Sequence, residues 1–229
     1  MKIISLLMIS LMLVTANAFA APPAGQVILA IGSLEAIAPN KASRTLQRGN
    51  PFYQSDTLVT GSRTQAKIRF TDGTLVTLSP NTRIRVDSYH YQASGGDYLV
   101  SLTAGGFRTV SGAIAQQNPD AYKVRTPVAT IAIRGTDYSV LYTKAQGLVA
   151  SVWEGKIALT NEQGTLIVGP GEDFRYAQIK SMYAIPEGLT KPPAALANTP
   201  EATTTTTTTT SSSTSTTLAK SPMLEICIP

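Results

Sequence analysis

Among 229 residues there is one histidine, His90, and one cysteine, Cys227. That pair of counts excludes every site built from several of either, including zinc clusters, haem attachment and a disulfide framework. No metal or cofactor motif stands elsewhere, and none is expected to be used. Base catalysis has a single histidine to draw on. His90 with Asp87 to orient it, and Ser111 or Ser79 as nucleophile, would make a triad. The sequence has no Gly-x-Ser-x-Gly elbow to present such a serine. Asp72, Asp87, Asp97, Asp137, Glu154, Glu172 and Asp173 supply carboxylates, and a glycosidase needs two of them about 5–10 Å apart. Most stand beside glycine or open a turn, where a carboxylate serves the backbone. The expectation is a protein that is not an enzyme.

Binding is the better use for these residues. Arg134-Gly135-Thr136-Asp137 is the sharpest cluster. Its glycine suits a positive φ or a close backbone approach. Arg134, following Ile131 and Ile133, is read as inward-pointing and held by Asp137 or by loop carbonyls. The competing reading is an exposed arginine that meets a partner's carboxylate or phosphate. Tyr89, His90 and Tyr91 form a second candidate contact, with cross-strand packing as the structural alternative. The net charge is +5, and residues 25–186 carry 16 Lys and Arg against 11 Asp and Glu. Arg63, Lys67, Arg69, Arg83 and Arg85 fall on polar positions of consecutive strands. They are expected to line one basic face, attractive to an anionic glycan or lipid headgroup. No motif for nucleic acid accompanies it.

The elements that position these residues are strands. From Gly25 to Pro186 no helical periodicity exceeds two turns, whereas alternating or β-branched runs recur every eight to twelve residues or so. Gln65–Phe70 alternates strictly, Asp72-Gly73 reads as a type I′ turn, and Leu75–Leu78 follows. Arg83–Val86, Tyr98–Leu102, Phe107–Val110, Tyr122–Arg125, Ala129–Arg134, Tyr138–Tyr142, Leu148–Trp153, Ile157–Thr160 and Leu166–Val168 continue the series. Each run is read as closed by glycine, proline or Asx chemistry, Glu154-Gly155 among them. Asp56–Gly61, Gly73–Leu78 and Gly164–Gly169 look alike and hint at repeated rungs.

The two ends differ from this middle. Residues 1–20 read as an export signal: Lys2, an apolar run from Ile3 to Val14, then Ala18-Phe19-Ala20 as a cleavage site. Twelve helical residues rise about 18 Å, short of a bilayer core of roughly 30 Å, so no transmembrane segment is expected after cleavage. From 187 onward the chain is rich in Pro, Thr and Ser, and all fifteen residues from Thr203 to Thr217 are Ser or Thr. Such a tract buries nothing and reads as a disordered tether, with glycosylation left open.

The order of several motifs is distinctive. Gly25-Gln26-Val27 and Leu46-x-x-Gly49 come first, then Asp56–Gly61, the Lys67–Thr74 hairpin and Leu78-Ser79-Pro80-Asn81-Thr82. Leu102–Gly106 precedes Thr126-Pro127-Val128-Ala129-Thr130-Ile131-Ala132-Ile133-Arg134-Gly135-Thr136-Asp137-Tyr138. Val152-Trp153-Glu154-Gly155 and Gly169-Pro170-Gly171-Glu172 close the set. Over roughly residues 25–175 the chain resembles the FecR domain family. That resemblance implies an extracytoplasmic β-rich domain, roll-like or solenoidal. The family's best-known members are regulators whose cytoplasmic segment controls a sigma factor while the exported domain senses a transporter. Here only Met1 and Lys2 precede the apolar run, so a direct anti-sigma role is not expected.

The reading is therefore an all-β, roll-like or β-solenoid domain over 25–186, between a signal at 1–20 and a tail at 187–229. Its expected place is the periplasm or cell surface, and its expected role is recognition of an envelope protein partner, for instance by strand addition at a sheet edge. The alternative function is a carbohydrate-binding or polysaccharide-cleaving envelope protein. A third is a structural role, with the tail anchoring the domain to a surface assembly.

Overall fold

Strict alternation sets the sides of each strand. Gln65–Phe70 buries Ala66, Ile68 and Phe70 and turns Gln65, Lys67 and Arg69 outward, and the other strands repeat this with their own apolar positions. The computed structural model describes residues 21–196. The export signal at 1–20, the Thr/Ser tract and Cys227 lie outside the described residues. The strands are β1 (Gly25–Ile31), β2 (Leu34–Ile37), β3 (Ser43–Thr45), β4 (Pro51–Phe52), β5 (Thr57–Thr60), β6 (Gln65–Phe70), β7 (Leu75–Leu78) and β8 (Arg83–Gln92). They continue with β9 (Gly95–Val110), a short helix α1 (Ala113–Gln117), β10 (Tyr122–Arg125), β11 (Thr130–Thr143), β12 (Gly147–Asn161), β13 (Gly164–Val168), β14 (Tyr176–Ile179) and β15 (Glu187–Leu189). Packed chain thus runs past residue 186, ending in a 3₁₀ turn at Ala194–Leu196 that lies against β11 and β12.

All fifteen strands belong to one sheet, which is not closed into a barrel. The sheet folds on itself into two layers. The first runs β13, the second half of β12, the first half of β11, β10, the first half of β9, β8, β5, β2 and β3. The second runs β15, β14, the first half of β12, the second half of β11, the second half of β9, β7, β6, β1 and β4. Among the described strands, only β9 and β10 pair in parallel. The architecture is all-β and roll-like. The three look-alike fragments fall on β5, β7 and β13, which pair with other strands and never with one another, so they are not stacked rungs.

Strands β9, β11 and β12 serve both layers. Each changes layer at a glycine with positive φ: Gly105 (75°), Gly135 (53°) and Gly155 (69°). The sequence suggests that glycine closes a strand at these points. Instead the ladder slips by a bulge and resumes, between Arg134 and Asp137 on β11, so two short runs become one bent strand. Gly155 is needed for space as well as φ. A Cβ there would lie 2.2 Å from the Gly135 carbonyl oxygen. Gly135 has open space around it and needs glycine for its φ alone.

The core lies between the layers. Phe70 on β6 meets Phe52 edge-on at 5.0 Å within its own layer, and Tyr89 and Tyr98 of the opposite layer at 5.1 and 4.8 Å. Tyr98 and Tyr122, neighbours on β9 and β10, stack at 4.0 Å. Such pairs add about 0.5–1.5 kcal/mol each to the burial of their area. The Asp72-Gly73 hairpin exists, but only Gly73 has positive φ, so it is not type I′. The Asp72 carboxylate instead accepts from the Thr74 N–H and hydroxyl, which holds Asp72 out of the left-handed region.

Candidate functional site

The outer side of the second layer carries the most structured polar surface. On β9, Phe107 and Thr109 point inward, so Arg108 and Val110 point outward. The β9–β11 register sets Arg108 opposite Ser139 and Val110 opposite Asp137. Arg108 therefore reaches diagonally to Asp137. Its Nε donates to Oδ1 at 2.9 Å and its Nη2 to Oδ2 at 2.7 Å, a bidentate, charge-assisted pair. Trp153 of β12 covers it, with the guanidinium carbon 4.5 Å from the ring centroid.

This stack is shielded on one side and open on the other. The side chains of Arg108 and Asp137 are 11% and 16% exposed, while Trp153 is 40% exposed. Exposed Val110 and half-buried Leu75 sit in register beside it. Ser139, opposite Arg108, is fully buried and its hydroxyl has no hydrogen-bond partner. No group of three metal-ligating side chains occurs among the described residues. What the arrangement offers is a rigid, desolvated cation under a fixed aromatic plate, a surface suited to binding. Asp137→Ala removes the bidentate acceptor of the guanidinium beneath the indole and should cost about 1–3 kcal/mol of stability in urea denaturation. Asp137→Asn, which keeps one acceptor, should cost less.

The sequence candidates are dispersed by the fold. Arg134 is exposed, because period two counted from Ile131 and Ile133 places residue 134 outward. It does not pair with Asp137, whose partner is Arg108. Gly135 supplies the bend. Thr136 is buried, its N–H donating to the Ser111 hydroxyl at 3.0 Å. Tyr89 is turned inward, and its hydroxyl takes the Asp72 N–H at 2.8 Å and bonds Thr71 Oγ1 at 2.8 Å. His90 faces out and Tyr91 is half-buried, so the three do not form one patch. The triad does not assemble either: Asp87 binds Arg85 and the Ser101 hydroxyl. Ser88 occupies Asp97, and Lys156 occupies Glu172.

The five-residue basic face is divided. Lys67 and Arg69 lie on β6 in the second layer, Arg83 and Arg85 on β8 in the first, and the outward sides of the two layers look away from each other. Arg63 is exposed in the turn before β6. Arg108 was not legible as a site residue. The available signals were its outward place in the Phe107–Val110 alternation and the presence of a single tryptophan, Trp153.

Fold and surface together define an all-β domain whose outer face carries the Arg108–Asp137–Trp153 stack. A family model described as FecR protein matches residues 56–158. Arg108, Asp137 and Trp153 all fall inside the matched region. Two crystal structures of a protein from Parabacteroides distasonis, described as a "putative anti-sigma factor", are similar at 18% identity, with TM-scores of 0.48 and 0.47. The similarity covers 61% of this chain and 61% of each of those. No curated protein matches the sequence.

Proposed function

We propose that the chain is an exported, non-catalytic module of the bacterial envelope that recognises a protein partner through the outer face around Trp153. The observation that carries this reading is Arg108, clamped by Asp137 and roofed by an indole that is still 40% exposed. Binding energy at protein interfaces concentrates on tryptophan, tyrosine and arginine that are already held in place, because little side-chain entropy remains to be lost. Val110 and Leu75 extend the face with apolar area. The export signal read at residues 1–20 supports an envelope location. No helix among the described residues is long and apolar enough to cross a membrane.

Crosslinking pull-down from fractionated cells tests the proposal, comparing the full chain with Trp153→Ala. A partner retained by the wild type should fall about thirtyfold or more with the variant, the factor expected of a hot spot worth roughly 2 kcal/mol. The urea midpoint should drop, since the indole is only 40% exposed and covers Arg108, so capture is compared without urea, with circular dichroism showing both proteins folded. Equal capture by the two proteins would dismiss this face. Capture of no envelope protein by the wild type would dismiss protein recognition itself.

A further inference from the structure

A second surface lies on the opposite side, on the outer face of the first layer. Arg134 and Lys156 stand directly opposite each other on β11 and β12. Like charges in that position repel across the ladder, and an undisturbed surface would avoid the pairing. One counter-charge is present: Lys156 bonds Glu172. The Arg134 side chain makes no hydrogen bond or ion pair among the described residues. This leaves the Arg134 guanidinium as a cation without a bonded carboxylate, beside Lys156, which has one.

Beside that charge is a cleft of about 420 Å³. Ala132, Ala158 and Ile167 align across β11, β12 and β13 to make its floor, with Ile167 48% exposed. Asp120, in the 3₁₀ turn Pro119–Ala121, stands at its rim. Two alanines side by side leave a depression where larger outward residues would fill the surface. The cleft thus combines an apolar floor with a wall carrying Arg134 and Lys156, and Asp120 at the rim. Small inorganic anions would use the wall and leave the floor bare, as would a sulfated polymer.

We infer that this cleft binds an acidic peptide segment of a protein partner, one carboxylate lying between Arg134 and Lys156 and an adjacent apolar side chain on Ala132, Ala158 and Ile167. This surface is separate from the one around Trp153, and the inference stands without it. Charge and shape point to an occupant of alternating acidic and apolar residues, because alternate side chains of an extended segment fall on the same side.

A random heptapeptide display library selected on the exported protein tests this directly. The selection is run in parallel on the wild type, Arg134→Gln, Arg134→Glu and Trp153→Ala, with circular dichroism to confirm that each folds. Peptides enriched on the wild type should contain Asp or Glu next to an aliphatic residue. Their affinity should fall at least tenfold with Arg134→Glu and less with Arg134→Gln, and should weaken with added salt. Trp153→Ala should leave them unchanged. Enrichment without acidic residues, or acidic peptides that bind Arg134→Glu equally well, would overturn the inference. So would failure to enrich any peptide while dextran sulfate binds the wild type and is lost with Arg134→Glu, which would assign the charge to a polyanion.

Discussion

Replacing Gly155 by valine is expected to unfold the domain. Gly155 sits at φ 69° in the bend of β12, a conformation that costs an L-residue about 1–2 kcal/mol and a β-branched one more. The new Cβ would also lie 2.2 Å from the carbonyl oxygen of Gly135 and 2.6 Å from that of Arg134. Those atoms are backbone within the β11–β12 pairing and cannot rotate away. The combined cost should exceed about 4 kcal/mol, most of the stability of a domain holding roughly 5–15 kcal/mol. Gly135→Ala is the informative control. It shares the positive φ but meets nothing within 4 Å, so it should cost only about 1–2 kcal/mol. Urea denaturation of both variants separates the two contributions, and equal losses would show that the close approach at Gly155 has no energetic weight.

Alkaline pH is the second strong lever. Tyr98, Tyr122 and Tyr138 are completely enclosed in the core, and Tyr89 is nearly so. Burial raises the pKa of all four phenols, with that of Tyr122 pushed up to about 12. In the unfolded chain a tyrosine titrates near 10. Between about pH 10 and 12 the unfolded state has therefore released protons that the folded state still holds, and stability falls as pH rises. Each such tyrosine contributes a slope of about 1.4 kcal/mol per pH unit. Below about pH 10 these phenols are neutral in both states and change nothing. Phenolate absorbance and circular dichroism, followed together upward from neutral pH, should show one joint transition. Tyr122→Phe should make that loss less steep. Phenols that ionised near 10 with the β spectrum intact would contradict their enclosure.

Local pattern made some elements readable at their true bounds. β6, β7 and β10 alternate over their whole length and end at real turns, so Gln65–Phe70, Leu75–Leu78 and Tyr122–Arg125 stand where the periodicity puts them. β9, β11 and β12 read as two strands each, since a glycine that stops a strand and one that bends it have the same sequence. Which it does depends on whether a neighbour continues the pairing beyond it. β3, β4 and β15 are two or three residues long and carry too little pattern to show. The candidate surfaces fail for the same reason. Arg108 and Asp137 are 29 positions apart, and only the β9–β11 register brings them together. The Arg134 and Lys156 opposition likewise depends on the β11–β12 register. Arg83 and Lys67, by contrast, look adjacent along the chain but belong to different layers.

The sharing of β9, β11 and β12 has a bearing on modularity. Neither layer is a self-contained piece of chain, because each obtains three of its central strands from segments that run straight on into the other. No pair of cuts releases one face with its scaffold intact, so a binding surface of this domain cannot be transplanted, duplicated or lost independently of the other. Trp153 and Lys156 sit three residues apart on opposite outer faces of one bent strand. Substitutions that adapt either face must remain compatible with the same Glu154-Gly155 elbow, which ties the evolution of the two surfaces to one stretch of backbone.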